Sequence, residues 1–218
     1  MLESMLIEPQ QVNVTETKLL SLITAKTGNR DLVNKDNKIS QMGITLFNGV
    51  EFFVSVVDRI KPYAGPIGNF DPEGDYTFEF IFFMDANGVD RRVVTLNMDK
   101  YPAAYSPFLV WGGNYRFLPK GQNTVTTPVY NNNSRTYHMV SIQTRGEANE
   151  LDIYVNGKWY GSWRDVKCFD ADGYGIMFGE WAGTNGYFIR GMRLYEGLKY
   201  GYDDTYEELT EFTLENSR

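Results

Sequence analysis

The sequence predicts an all-β protein, either a sandwich or a barrel. Its clearest stretch is 136–163, where apolar and polar residues alternate with the two-residue period of an antiparallel strand. Within it, Asn156-Gly157 has the composition of a type I′ hairpin turn, because both residues tolerate a positive φ. Many further short apolar runs are bounded by Gly, Asn, Asp or Pro, a pattern typical of sandwiches and barrels.

Residues 1–40 differ from the rest and are predicted to be an extension of a domain at 41–218. A short amphipathic helix is expected from the helical spacing of Leu19, Leu20, Leu22 and Ile23. The segment after it is polar and rich in turn formers. Two interpretations stay open: the extension lies on the domain, or it is an arm that docks to a partner.

Strands and turns dominate the chain from Gly43 onward. The predicted strands cover 44–47, 50–57, 76–84, 92–98, 108–111, 115–118, 124–130, 137–144, 151–155, 173–179 and 187–195, and another run resumes at Trp159. The strand at 76–84 is apolar at nearly every position, which predicts burial on both faces or an aromatic platform on one.

A short helix is predicted near the C-terminus, within 203–214. Thr205 and Glu208 have the spacing of a capping box, and Leu209 and Phe212 lie one helical turn apart. The predicted architecture is therefore a β domain with a short element at each end.

Composition excludes several classes of protein. The net charge of −7 and the absence of a basic cluster beyond Arg91-Arg92 argue against nucleic-acid binding. One cysteine, Cys168, cannot form an internal disulfide, and a single histidine, His138, leaves zinc without enough ligands. No stretch has the roughly 20 apolar residues of a membrane span. The N-terminus lacks a signal-peptide pattern, so we expect synthesis in the cytoplasm without secretion.

Two acidic turns are candidate calcium sites, because calcium prefers clustered oxygen ligands. The candidate ligands in the first turn are Asp85, Asn87 and Asp90, and 170–173 is the second. Both also fit ordinary tight turns, in which Asp and Asn bond their own backbone and Gly accepts positive φ. We expect turns without a cofactor, with calcium as the alternative.

Aromatic residues near turns are the better candidates for ligand binding. Aromatic faces pack against the C–H patches of sugar rings, while neighbouring polar groups bond the hydroxyls. The candidate residues for glycan binding are Trp111, Tyr115, Trp181, Asn185 and Tyr187. The alternative is that these aromatics fill the core or stabilise hairpins through cross-strand pairs.

Four blocks, in order, carry a family resemblance: 43–55 (GITLFNGVEFFVS), 75–88 (DYTFEFIFFMDANG), 136–162 (TYHMVSIQTRGEANELDIYVNGKWYGS) and 174–200 (YGIMFGEWAGTNGYFIRGMRLYEGLKY). They resemble the concanavalin A-like lectin/glucanase superfamily, in particular its laminin-G-like and pentraxin-like jelly rolls. The resemblance implies a two-sheet antiparallel jelly-roll sandwich. Members of the superfamily bind glycans or calcium, hydrolyse polysaccharides, or serve as adhesion modules, so fold alone does not select a function.

The strand that starts at Glu150 begins like the Glu-x-Asp-x-x-Glu strand of the jelly-roll glucanases. Glycoside hydrolysis needs two carboxylates, about 5 to 5.5 Å apart in a retaining enzyme. Val155 occupies the position of the second catalytic Glu, so the acid/base is missing. We therefore expect Glu150 and Asp152 to belong to a solvent-facing polar row on an antiparallel strand, and the protein not to be an enzyme.

The sequence thus predicts a non-catalytic, lectin-like jelly-roll protein. Its first expected role is as a structural or adhesive component of a larger assembly, such as a phage capsid or tail accessory on a virion surface. The alternatives are a carbohydrate-binding module that uses rim-loop aromatics and a divergent glycoside hydrolase that uses Glu150 and Asp152. Expected partners are other proteins of the assembly, a glycan ligand, or further copies in a homo-oligomer.

Overall fold

The computed structural model describes residues 14–28, 30–35, 39–40, 42–55, 63–64, 71, 73–84, 91–96, 106–111, 114–117, 125–129, 136–164, 176–178, 187–201 and 206–218. The strands in these ranges are β1 (Lys18–Thr24), β2 (Ile39–Ser40), β3 (Met42–Phe47), β4 (Val50–Ser55), β5 (Tyr63–Ala64), β6 (Asp75–Met84), β7 (Arg91–Leu96), β8 (Ser106–Trp111), β9 (Asn114–Phe117), β10 (Val125–Val129), β11 (Thr136–Arg145), β12 (Glu150–Val155), β13 (Lys158–Arg164), β14 (Ile176–Phe178) and β15 (Tyr187–Glu196). A 3₁₀ turn, Ala25–Thr27, follows β1.

The strands form two antiparallel sheets, which confirms the predicted all-β sandwich. The larger sheet has the order β13-β12-β11-β6-β15-β4-β3, and β1 also pairs with β15. The smaller sheet has the order β10-β9-β8-β7-β14-β5-β2. Within the described residues, no helix has the length and apolar character needed to cross a bilayer.

The central strands of the larger sheet are buried on both faces, as the apolar run at 76–84 predicts. One face carries Phe78, Phe80 and Phe82, which are fully buried. We call it the inner face, because a sandwich buries the apolar faces of its sheets against each other. The alternate residues Thr77 and Glu79 belong to the opposite, outer face.

The outer face is covered by the C-terminal segment, defined here as residues 198–201 and 206–218. Phe212 packs in a buried cluster with Leu22, Ile81 and Met139. At the start of the segment, just after β15 in sequence, the backbone nitrogens of Lys199 and Tyr200 donate to the side chain of Gln143 on β11, at 2.7 and 2.8 Å. The segment therefore closes a second core layer with its own side chains.

Both predicted helices are wrong. Residues 18–24 form strand β1, whose register pairs Thr24 with Gly191 and Lys18 with Glu196 of β15. Apolar residues continue along β1 because its C-terminal half is buried, and this continuity imitates helical spacing. In the described part of the predicted C-terminal helix, residues 206–214 contain no helix.

In the irregular C-terminal segment, side-chain oxygens accept hydrogen bonds from backbone nitrogens. The nitrogen of Thr213 donates to Asn216 Oδ1 at 2.8 Å, and the nitrogen of Asn216 donates to Thr213 Oγ1 at 3.1 Å. Such bonds compete with helical ones. The spacing of Leu209 and Phe212 here reflects contacts with the sheet and not a helix face.

The predicted hairpin turns are confirmed. Asn156 and Gly157 have φ values of 48° and 76°, and Asn48 and Gly49 have 51° and 78°. Both pairs connect strands that are adjacent in the larger sheet. The boundary at residue 40 stays a prediction, although β1 is an integral part of this sheet.

Candidate functional site

Three of the five predicted glycan residues, Trp111, Tyr115 and Tyr187, lie at or next to the ends of strands. Trp111 is the last residue of β8 and pairs with Asn114 of β9, while Tyr115 pairs with Val110. By the two-residue period of strands, positions 111 and 115 belong to opposite faces of this hairpin. Tyr187 is the first residue of β15 and pairs with Met84. Trp181 and Asn185 lie outside the described residues.

The predicted calcium ligands Asp85, Asn87 and Asp90 also lie outside the described residues, between β6 and β7. Within the described ranges, no group of three or more His, Cys, Asp or Glu side chains could hold a metal ion. The calcium site therefore stays a prediction for this turn.

Glu150 and Asp152 belong to an ion-pair cluster on β12. Arg145 of the neighbouring β11 donates to Glu150 Oε2 at 2.8 Å and to Asp152 Oδ2 at 2.6 Å. The other Glu150 oxygen lies 3.3 Å from Nε of Arg164 on β13. Asp152 also accepts a hydrogen bond from Ser162.

Burial and charge make this cluster structural in character. The side chain of Asp152 is only 1% exposed and that of Glu150 18%, so the predicted solvent-facing row is wrong for Asp152, which arginine and serine partners hold in the interior. Burial opposes the charge of Arg145, but Asp152 and Glu150 more than compensate and raise its pKa. A glycosidase needs one carboxyl that gives up a proton and a second that attacks or activates water. Here both carboxylates are engaged by arginine, Glu150 by two side chains and Asp152 by one.

His138 lies in the interior of the larger sheet, with its ring stacked on Phe82 at a centroid distance of 5.0 Å. Its nitrogens lie 3.0 Å from Thr136 Oγ1 and 3.3 Å from Asn156 Nδ2. Burial lowers the pKa of His138 to about 4. A fully buried, neutral imidazole with these contacts supports packing of the strand, as the sequence predicts.

A charged network in the outer face is the feature that the sequence analysis missed. Glu79 of β6 and Arg193 of β15 are aligned in the sheet and form a buried ion pair. Glu79 also accepts from Lys199 Nζ at 3.2 Å and from the hydroxyl of Tyr200. A signal was present at Glu79, a charge in the middle of the apolar run at 76–84, but Arg193 lies in a strand that also contains Arg190 and gives no such signal.

The network ties the C-terminal segment to the centre of the sheet. Arg193 donates to the carbonyl of Asn216 at 2.7 Å and to Ser217 Oγ at 3.1 Å, and it lies 4.1 Å from the ring centroid of Phe212. Burial raises the pKa of Tyr200, and the nearby Glu79 carboxylate acts in the same direction. These groups are enclosed and mutually bonded, so the arrangement is a structural one.

An open depression of about 720 Å³ lies where β1, β6 and β15 begin or end. Its lining includes five carboxylates and one lysine: Glu16, Lys18, Glu73, Asp75, Glu147 and Glu196. Lys18 Nζ and Glu196 Oε2 are 4.0 Å apart. Burial raises the pKa of Asp75, with Arg145 opposing and Glu147 adding to the effect. Chemically, such a surface accepts hydrogen bonds from hydroxyl groups and attracts cations.

Comparison with known proteins shows the fold and no family. No protein-family model and no curated protein sequence matches this chain. Among solved structures, it is similar to domain 4 of AbnA, a GH43 extracellular arabinanase from Geobacillus stearothermophilus, in complex with arabinotriose. The TM-score is 0.64 at 12% identity, covering 85% of this chain and 96% of that domain.

Two further similar structures are parts of larger chains. The botulinum neurotoxin serotype D binding domain has a TM-score of 0.60 at 11% identity, with 83% of this chain and 48% of that one covered. Trypanosoma rangeli sialidase, in complex with a difluoro-KDN, has a TM-score of 0.59 at 10% identity, with 81% and 30% covered. The protein thus shares its antiparallel β-sandwich fold with these structures.

Proposed function

We propose that this protein is a non-catalytic carbohydrate-binding module. The observation that supports the proposal most strongly is the match to domain 4 of AbnA, which spans 96% of a domain solved with arabinotriose. A similar fold alone does not carry function, so the proposal must be tested at the level of residues. At the family level, we propose a concanavalin A-like jelly roll of the laminin-G-like or pentraxin-like kind.

The proposed sugar contacts are the aromatic and amide residues that the sequence predicts, Trp111, Tyr115, Trp181, Asn185 and Tyr187. Buried aromatic anchors usually contribute most of the affinity at a binding surface. Positions 111 and 115 belong to opposite faces of the β8–β9 hairpin, so we propose that one of them contacts the ligand. Separate substitutions distinguish the two.

A glycan array followed by calorimetry tests this function. We expect binding to at least one class of oligosaccharide, with arabinan fragments and sialylated glycans included. Trp181→Ala should weaken binding about tenfold or more, and so should one, but not both, of Trp111→Ala and Tyr115→Ala. Leu214→Ala, which removes an exposed apolar side chain, is the control and should bind like the wild type. A blank array across bacterial, plant and animal glycans would contradict the proposal.

The same ligands test the absence of catalysis. The support for a non-enzyme is the cluster in which Arg145 holds both Glu150 and Asp152. We expect no release of reducing sugar during long incubations with any bound glycan. Release that disappears in Glu150→Gln but persists in Glu147→Gln, a change of an exposed acid nearby on the chain, would establish a hydrolase instead.

A place in a larger assembly, such as a phage virion, stays a prediction of the sequence. Mass spectrometry of purified particles tests it directly. Deleting residues 1–40 is not a clean test of a docking arm, because the deletion removes β1 and with it the buried Leu22 and Ile23.

A further inference from the structure

Strand β3 differs from the other sheet edges in the described part of the chain. An edge strand exposes unpaired backbone groups, and proteins usually protect such edges with charges, proline, short length or a covering segment. β13, at the opposite edge of the larger sheet, carries the exposed charges Lys158 and Arg164. β10 contains Pro128, and β2 has two residues. The free side of β1 is covered by an isolated bridge to Asp31.

Among the residues that the structure describes, none of these devices protects β3. Its sequence, MGITLF, contains neither a charge nor a proline over six residues. It pairs with β4 on one side and is the terminal strand of the sheet order on the other. Ile44 and Leu46 are 41% and 68% exposed, the latter the highest value among the large apolar residues of the described chain.

Ile44 continues an apolar row of the sheet, whereas Leu46 is aligned with Glu51 of β4. Ile44 is aligned with Phe53 on β4, which is aligned with Ile189 on β15. Phe53 and Ile189 are buried. The row therefore stops at an edge where another strand would extend it.

We propose that β3 is a dimerisation edge that pairs antiparallel with β3 of a second copy. The twofold axis passes at Thr45, which places Ile44 opposite Leu46 of the partner subunit and Leu46 opposite Ile44 of the partner subunit. Opposed apolar side chains on neighbouring antiparallel strands stabilise a sheet. The uncharged strand also brings no like charges together, although each chain carries a net charge of −7.

A second copy fits this edge better than an unlimited stack of strands. An isologous contact uses the same patch on both subunits and closes on itself. After pairing, the joint sheet ends at β13 on both sides, and both ends carry Lys158 and Arg164. Growth therefore stops at two. A six-residue strand pair buries less than the roughly 1,600 Å² of a standard interface, so the dimer should dissociate on dilution.

Sedimentation velocity of the full chain across a dilution series tests the proposal. We expect a concentration-dependent monomer–dimer equilibrium for the wild type. Leu46→Lys should raise the dissociation constant about tenfold or more, since it places a charge in the apolar contact. The fold should persist, because Leu46 is exposed and is aligned with Glu51, a favourable neighbour for lysine. Val33→Lys is the matched control, an equally drastic change at another exposed apolar residue, and should dimerise normally.

Cysteine cross-linking then tests the register. In a Cys168→Ser background, Thr45→Cys should form a reducible covalent dimer, because directly opposed cysteines on antiparallel strands approach the geometry of a disulfide. Ile44→Cys should cross-link more slowly, since position 44 faces position 46. A monomeric wild type at every concentration, a dimer unaffected by Leu46→Lys, or faster cross-linking at 44 than at 45 would overturn the proposal. None of these readouts involves a glycan, so they are independent of the proposed function.

Discussion

His138 shows how the hydrogen bonds of one residue define its protonation state. The Asn156 Oδ1 atom accepts from the nitrogen of Met139 at 2.9 Å, which leaves the amide NH₂ of Asn156 to face the ring. An NH₂ group can only donate, so Nδ1 of His138 accepts and Nε2 carries the proton towards Thr136 Oγ1. The neutral ring thus joins the β12–β13 turn to β11.

This arrangement predicts a loss of stability in mild acid. Burial lowers the pKa of His138 to about 4 from a usual value of 6.5, so the unfolded chain takes up the proton first. Stability is therefore complete above about pH 6.5 and falls as the pH drops towards 4, by roughly 3 kcal/mol from this residue. Urea unfolding between about pH 7 and pH 4.5 measures the slope. His138→Gln should be less stable but should show a shallower slope; an unchanged slope would contradict the prediction.

The Glu79–Arg193 pair should be among the most sensitive positions in the chain. Arg193→Met leaves Glu79 buried with Lys199 as its remaining cation and removes the bonds to Asn216 and Ser217. Breaking one side of a buried pair typically costs about 3–5 kcal/mol. The matched control is Glu196→Gln, which breaks an exposed pair with Lys18 and should cost less than about 1 kcal/mol. Denaturant unfolding compares the two, and similar costs would refute the assignment.

At the scale of elements, β1 shows how a buried strand can have the sequence pattern of a helix. Leu19, Leu20, Leu22 and Ile23 fit a helical stripe, but they fit a strand buried on both faces equally well. Only the partner decides, and that partner is β15, far away in sequence. The hairpins at 48–49 and 156–157 were predictable because their signal is local, residing in the positive φ that Asn and Gly tolerate.

The two hairpin glycines provide a matched pair for mutation. Gly157→Ala has a strained φ of 76°, and its new Cβ would lie 2.5 Å from the carbonyl oxygen of Tyr206. Gly49→Ala has nearly the same φ, 78°, but meets no atom within 4 Å. Both should lose about 1 kcal/mol from backbone strain, and Gly157→Ala should lose clearly more because backbone atoms of the C-terminal segment must move. Equal losses of unfolding free energy would contradict the prediction and show that the C-terminal segment can move without a loss of stability.

At the scale of the whole molecule, the sequence was sufficient for the class of fold. Runs that alternate with a period of two, turn residues and the strand at 76–84, which is apolar at nearly every position, all predict two antiparallel sheets, as observed. The site was harder to predict, because side-chain clusters arise between strands distant in sequence. Arg145 was not recognised as the partner of Glu150 and Asp152, and the opposite charges of Glu79 and Arg193 were not paired. Both clusters depend on the register between strands, which a single sequence does not state.

The pairing of β1 with β15 has a consequence for how the chain is made. β1 is synthesised before β15, the strand with which it pairs, and most of the other strands lie between them in sequence. β6 also pairs with β15 and is likewise synthesised before it. The nascent polypeptide must therefore carry an apolar strand without its partner until β15 has been synthesised, a situation that favours slow folding and chaperone capture.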